Sequence, residues 1–337
     1  MLLVFLFCPL TVWAGTAALN SLVPPAGQIL HGVFPGGQPG ATEISPVDVD
    51  QYEQAVGHKV AWVYFDNDWY RSRVFPASMA GWIRARAATP YIRLMLRSSA
   101  AQNRREPYFT LQAIAAGDFD ADLAAWGRAA AQFNTPVIVE FGTEMNGDWF
   151  SWNARWNGRK RGAERFVAAY RHIINVIRSN GADNIVWVFH VNNSDYPDRR
   201  WNRFEAYYPG DGYIDLLAVS IYSTQSPYDR SHTDFRASMD EVMARFSQMA
   251  PQKPAIIAEL GTDVRNPREN AAQWADGAFR DMLSGRWPAL VGFSWWNETW
   301  ENDSNHDNDT DFRVQSNTDL AHVFHQHLSN PKVQNHR

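Results

Sequence analysis

The sequence predicts an α/β fold, a single (β/α)8 TIM barrel. Three observations predict it: eight short apolar runs, amphipathic helical stretches between most of them, and no break in composition along 337 residues. The runs cover residues 29–34, 60–65, 91–96, 137–141, 185–191, 214–221, 255–260 and 290–296. They are nearly continuous in apolar side chains rather than alternating, as parallel strands covered on both faces require.

The clearest helical stretches are 119–133, 160–180, 235–249 and 270–283, with weaker ones at 48–57 and after Pro76. Within 160–180, Phe166, Tyr170, Ile173, Ile174 and Ile177 recur at helical spacing, and Gly181 follows as a stop. Asp118 is a candidate N-cap for the helix after it. A last helix is expected at 318–328, and residues 332–337 read as a loose tail. No repeat or low-complexity tract interrupts the barrel unit, taken as 19–331.

Residues 1–18 read as a signal peptide: an apolar run from Met1 to Trp13 and then small residues, with cleavage expected after Ala14 or Ala18. No Lys or Arg precedes the run, so a buried first segment is the alternative. With the leader, the expectation is a secreted or periplasmic monomer that does not span a membrane in mature form. Cys8, the one cysteine, lies in this segment, so disulfides, zinc–thiolate sites and cysteine nucleophiles are excluded from the mature unit. A net charge of -5 without a basic run argues against a nucleic-acid partner.

The ten histidines show no metal-ligand spacing, and no glycine loop suits a phosphate; no cofactor or metal is expected. Gly36, Gly37 and Gly40 read as a turn-rich loop. Asp307, Asp309 and Asp311 alternate as a calcium loop does, but Phe312 and Thr318 stand where that loop needs Gly and Glu.

Barrel chemistry sits at the C-terminal ends of the strands, and two acids stand out there. Glu144 follows the fourth run, in Phe141-Gly142-Thr143-Glu144, and Glu259 ends the seventh, in Ile257-Ala258-Glu259-Leu260. An acid in an apolar strand costs several kcal/mol if buried without partners. The fourth and seventh strands of an eight-stranded ring face each other, so these carboxylates can flank one bond. Cleaving a glycosidic bond with retention needs two carboxyl groups roughly 5–5.5 Å apart, one protonated and one ionised. Asp66 and Asp68, ending the second run, could bind sugar hydroxyls. Glu140 is expected to pair with Arg97 or Arg93, and Asp215 to cap or pair. Of fifteen tryptophans, Trp69, Trp149, Trp152, Trp156 and Trp300 fall in loops beside Gly, Asn or Asp, where a flat ring can carry a sugar.

Three segments together resemble glycoside hydrolase family 26, β-mannanase-like enzymes of a large clan of barrels. They are Glu144-Met145-Asn146-Gly147-Asp148-Trp149-Phe150-Ser151-Trp152, Tyr207-Tyr208-Pro209-Gly210-Asp211-Gly212-Tyr213-Ile214-Asp215, and Lys253-Pro254-Ala255-Ile256-Ile257-Ala258-Glu259-Leu260-Gly261. The resemblance implies Glu144 as acid/base and Glu259 as nucleophile. It also implies Tyr222 as the tyrosine that holds the nucleophile, and Trp296 as the aromatic floor under the cleaved sugar. Trp149 and Trp152 match loop aromatics, Asn192 a polar cleft position, and His31 with Gly32 a pair near the cleft rim.

Thr143 stands where the family usually has His, and Glu140 where it usually has Arg; these departures mark a divergent member and bear on sugar specificity. The expected function is a retaining endo-β-glycanase acting on a β-1,4-linked polysaccharide, β-mannan or mixed-linkage β-glucan. The alternatives are a non-catalytic carbohydrate-binding barrel and a glycosidase specialised for an exopolysaccharide.

Overall fold

The computed structural model describes residues 15–36 and 43–335. Eight parallel strands close a ring: β1 Ile29–Phe34, β2 Trp62–Asp68, β3 Thr89–Met95, β4 Val137–Phe141, β5 Ile185–Asn192, β6 Leu216–Tyr222, β7 Ala255–Gly261 and β8 Leu290–Trp296. Each pairs with the next, and β8 returns to β1 over Leu30↔Gly292 to Phe34↔Trp296. The helices around the ring are α1 Gly15–Asn20, α2 Pro46–Val56, α3 Ala77–Ala85, α4 Leu111–Ala116, α5 Asp120–Phe133, α6 Gly162–Ser179, α7 Phe235–Met249, α8 Ala271–Leu283 and α9 Thr318–Leu328. The cap of α5 is Phe119, not Asp118, and its side chain makes no capping bond.

Between β5 and β6 the crossover holds two short 3-10 turns, Arg200–Asn202 and Phe204–Tyr207, and no α-helix. Pro197 and Pro209 bound this segment, and proline neither donates to nor continues a helix.

Alternate strand residues face the ring's interior and its helical coat. Leu30, Ile138, Val186, Leu216 and Ile256 fill the lower interior, while Val33, Val63, Ile92, Val139 and Phe293 pack outward. Trp62 lies across the middle and donates from Nε1 to Ser294 Oγ at 2.6 Å. Its indole fits because Gly32 and Gly292 lack a Cβ; one added at Gly32 would lie 2.0 Å from the indole nitrogen. Above Trp62 the inward residues turn polar: Tyr64, Tyr91, Glu140, His190 and Ser220.

Several terminal expectations need correction. Within the expected loose tail, Val333–Gln334 form a strand, β11, that pairs with Ile29 and Leu30 on the part of β1 below its pairing with β2, and Val333 is buried; residues 336–337 lie outside the described residues. An edge strand with free backbone groups and an apolar side chain to cover holds this segment in place. Of the expected leader, residues 1–14 lie outside the described residues. Ala18 and Leu22 pack beneath the ring with Leu30 and Val186, which disfavours a boundary after Ala18. A two-stranded hairpin, β9 Thr299–Trp300 with β10 Thr310–Asp311, follows β8. It draws Asp309 to His306 and Asp311 to Arg313, so two of the three alternating aspartates contact basic side chains.

Replacing Gly32 by Ala should lower unfolding stability by about 1–3 kcal/mol, since the added carbon meets the Trp62 ring. A denaturation midpoint unchanged from wild type would show that the interior is looser than described.

Candidate active site

Glu144 is set by an unusual backbone. β4 ends at Phe141, and Gly142 takes φ +68°; a Cβ there would come within 2.2 Å of the Phe166 ring. Glu144 itself has φ +49°, a left-handed conformation that costs a non-glycine residue on the order of 1–3 kcal/mol. It persists because neighbours hold it. The Glu144 N–H donates to the His190 carbonyl at 3.0 Å, and its own carbonyl accepts from the Gly147 N–H at 2.8 Å. Trp149 Nε1–H donates to Glu144 Oε2 at 2.7 Å. Gly147 makes that possible, since a Cβ there would lie 2.1 Å from the Trp149 ring.

The loop is tied to the end of β5 by Asn146. Its Nδ2 donates to the carbonyls of Asn192 and Ser194 and to Asp195 Oδ1, while its Oδ1 accepts from the Asn192 N–H.

Glu259 owes its direction to a β-bulge. Val219 pairs with Ile257 and Ser220 with Glu259, so Ala258 has no partner on β6. Strict alternation would send Ile257 and Glu259 outward together. The extra residue instead turns Glu259 to the mouth and Leu260 to the helical coat, as bulges near sites do. There Tyr222 Oη–H donates to Glu259 Oε2 at 2.7 Å and Arg93 Nη1 to Oε1 at 3.2 Å. Arg93 also grips Asp66 through two bonds, at 2.5 and 2.9 Å. Trp296 stacks on Phe34 at 3.8 Å and lies 5.0 Å beneath the Arg93 guanidinium. Its Nε1–H donates to Glu298 Oε2 at 2.9 Å.

The electrostatics bind these groups into one unit. Burial, and then the Glu144 carboxylate, push Glu259 up to about 7, against the pull of Arg93, His190 and the Tyr222 hydroxyl. Two buried carboxylates that repel each other titrate as a pair, and the second proton leaves late. Glu298 is likewise raised to about 7, by burial and by Asp66.

The structure therefore brings together Glu144, Glu259, Tyr222, Trp296, Trp149 and Asp66. Asn192 sits at the end of β5, half-buried, with its amide turned to Ser194. Three expected site residues are elsewhere. His31 is fully buried on the outer face of β1, bonded to Tyr52 at 2.7 Å and packed on Phe293. Trp69 is buried against Phe109, and Trp152 stacks on Phe150 while donating to the Thr143 carbonyl at 2.8 Å. Their polar neighbours in sequence are not their neighbours in space; both rings are core. Glu140 pairs with neither Arg93 nor Arg97, which are taken by Asp66 and Asp68; its partner is His190. Arg93, His190 and Glu298 are the groups that sequence reading did not place here. Arg93 and His190 carry the same signal as Glu259, an ionisable group within an apolar strand. Tyr196, exposed and stacked on Trp149 at 6.3 Å, had no such signal.

The model of glycosyl hydrolase family 26 matches residues 113–274, which hold both Glu144 and Glu259. Over that segment the chain is similar to the family. It is 24% identical over 332 residues to Endoglucanase H of Acetivibrio thermocellus, covering 96% of the chain and 33% of that protein. It is 24% identical over 245 residues to the beta-1,3-xylanase TXYA of a Vibrio species, covering 67% of the chain and 50% of that protein. It thus spans between a third and a half of these two curated relatives. In fold it is similar to a beta-mannanase of the same family from Bacteroides ovatus, with a TM-score of 0.68, 15% identity, and coverage of 97% of this chain and 94% of that one.

The raised Glu259 carboxyl has a consequence for stability. The buried pair to which Glu259 belongs keeps a proton in the fold that the unfolded chain releases, so stability falls as pH rises from about 4.5 to about 7. Glu259→Gln removes that loss. It should exceed wild type in stability by on the order of 3 kcal/mol at pH 8, with the gap closing towards pH 4.5. Parallel denaturation curves at all pH values would refute it.

Proposed function

We propose that this chain is a secreted, retaining endo-β-glycanase that hydrolyses a neutral β-1,4-linked polysaccharide, β-mannan or mixed-linkage β-glucan, by double displacement. One observation carries the reading: Glu144 and Glu259 couple across the barrel mouth in unlike surroundings. Glu259 accepts from Tyr222 and Arg93, which favour its anion, whereas Glu144 has one neutral donor, the Trp149 indole. We therefore assign the nucleophile's role to Glu259 and the acid's role to Glu144.

In the first step the Glu259 oxygen attacks the anomeric carbon as Glu144 gives its proton to the departing glycosidic oxygen. In the second, Glu144 takes a proton from water, whose oxygen displaces Glu259 and restores both carboxyl groups. Trp296 lies under the sugar being cleaved, and Trp149 fixes the Glu144 carboxyl. Asp66, Glu259 and Glu298 all lean on the one guanidinium of Arg93, so a sugar acid in their midst would add an uncompensated anion; this supports a neutral glycan. The match to the family model and the relatives' names, a mannanase and a beta-1,3-xylanase among them, support the substrate class. A leader cleaved after Ala14 would leave the Ala18 and Leu22 packing intact.

Glu259→Ala should cut kcat on mannan or lichenan by about 1000-fold or more while the folded circular dichroism spectrum is kept. Proton NMR of the first product should show the β-anomer. Near-normal turnover in the variant, or an α-anomer product, would reject the mechanism. Polysaccharide binding with no reducing-end release from mannan, lichenan, xylan or cellulose would point to the binding barrel instead.

Activity should fall as pH rises through about 7, where the pair loses its last proton. A rate still climbing at pH 9 would show that Glu144 and Glu259 do not share one.

A further inference from the structure

Below the two carboxylates lies a third acid that the reaction does not consume. Glu140, on β4, is fully buried. Its Oε1 accepts from the Tyr64 hydroxyl and its Oε2 from the Tyr91 hydroxyl at 2.6 Å, and both oxygens lie 3.0–3.1 Å from His190 Nδ1. The other ring nitrogen of His190 lies 2.8 Å from Ser220 Oγ, and Thr143 Oγ1 is 2.9 Å from Nδ1.

Three donors converging on one carboxylate favour its ionised form. A buried anion without a counter-charge costs several kcal/mol, and the imidazole in contact with it can supply that charge. The groups facing His190 from the surrounding strands agree. Glu140 from β4, Glu144 from the loop after it and Glu259 from β7 are acids, Tyr64 and Tyr91 are neutral donors held well above their usual range by burial, and the Ser220 hydroxyl can accept. Arg93 from β3 is spent on Asp66 and Glu259.

The pair is placed to act on both reacting groups. His190 accepts the Glu144 N–H on its backbone carbonyl and contacts Thr143 with its ring, so it braces the left-handed turn that aims Glu144. Through Ser220 it touches the residue that pairs with Glu259 at the bulge. The charges are ordered, with Glu140 towards the two tyrosines and the imidazolium towards the mouth.

We infer that Glu140 and His190 form a buried ion pair whose imidazolium positions Glu144 and holds the Glu259 anion in place. They are positioning residues: neither touches the sugar. This rests on the glycanase reading, but one of its tests does not need turnover. Thr143 and Glu140, the two departures from the family's usual residues, become parts of one arrangement in which the imidazole comes from β5.

Neutron diffraction of the wild-type protein at pD 8 tests the protonation directly. Deuterium on both His190 ring nitrogens and none on Glu140 is expected; a singly deuterated ring, or a deuterated Glu140, would overturn the inference whatever the activity. The kinetic test is Glu140→Gln, an isosteric change that keeps a hydrogen-bonding group but lets His190 lose its charge. With the fold intact, kcat should fall about tenfold or more while KM moves less than about threefold. Both limbs of the pH–rate profile should shift upward by about half a unit or more, because the Glu259 anion has lost its support. A uniform loss of activity with the profile unmoved would mean that the pair is merely structural. Wild-type protein inactive on every glycan, but with a doubly deuterated His190, would sink the glycanase reading and leave the ion pair standing.

Discussion

The rest of this structure depends on the repulsion between two carboxylates enclosed in the mouth of a barrel. Neither Glu144 nor Glu259 has water enough around it for both to ionise without cost, so the site holds one proton over a range where free acids would have lost it. Arg93 and Tyr222 draw the charge to Glu259, and a single indole attends Glu144. A symmetrical pair would have no such division of roles.

The surrounding fold supplies the geometry at local expense. The bulge at Ala258 breaks the strand's alternation, and the left-handed turn at Glu144 is a conformation that glycine would adopt more readily. Both irregularities are braced from the same place. His190 touches the turn through its backbone carbonyl and the bulged region through Ser220, with Glu140 and the two tyrosines sealing it from below. The polar belt above Trp62 is thus a platform, and the apolar interior beneath it gives that platform rigidity.

Much of the barrel was legible because burial on both faces leaves a plain trace in residue type. β1, β4 and β8 and the helices α7 and α9 begin and end where apolar periodicity placed them. The acid pair was legible for the complementary reason, that ionised groups are expensive among apolar neighbours. What failed depended on contacts distant in sequence. Trp69 and Trp152 stand beside polar residues but pack against Phe109 and Phe141, and His31 lies one strand position away from facing inward. The partner of Glu140 could not be read without the register that sets β4 against β5, where Val188 lies opposite and His190 just above. Tail residues 333–334 became ordered only because β1 had an edge to offer.

The central claim, that Glu259 takes the sugar while Glu144 handles the proton, is tested most directly by trapping. Incubation with an activated 2-deoxy-2-fluoro β-glycoside, followed by proteolysis and mass spectrometry, should find one sugar bonded to the peptide carrying Glu259. Label on any other carboxylate, or steady hydrolysis of the reagent with inverted product and no label, would contradict the account.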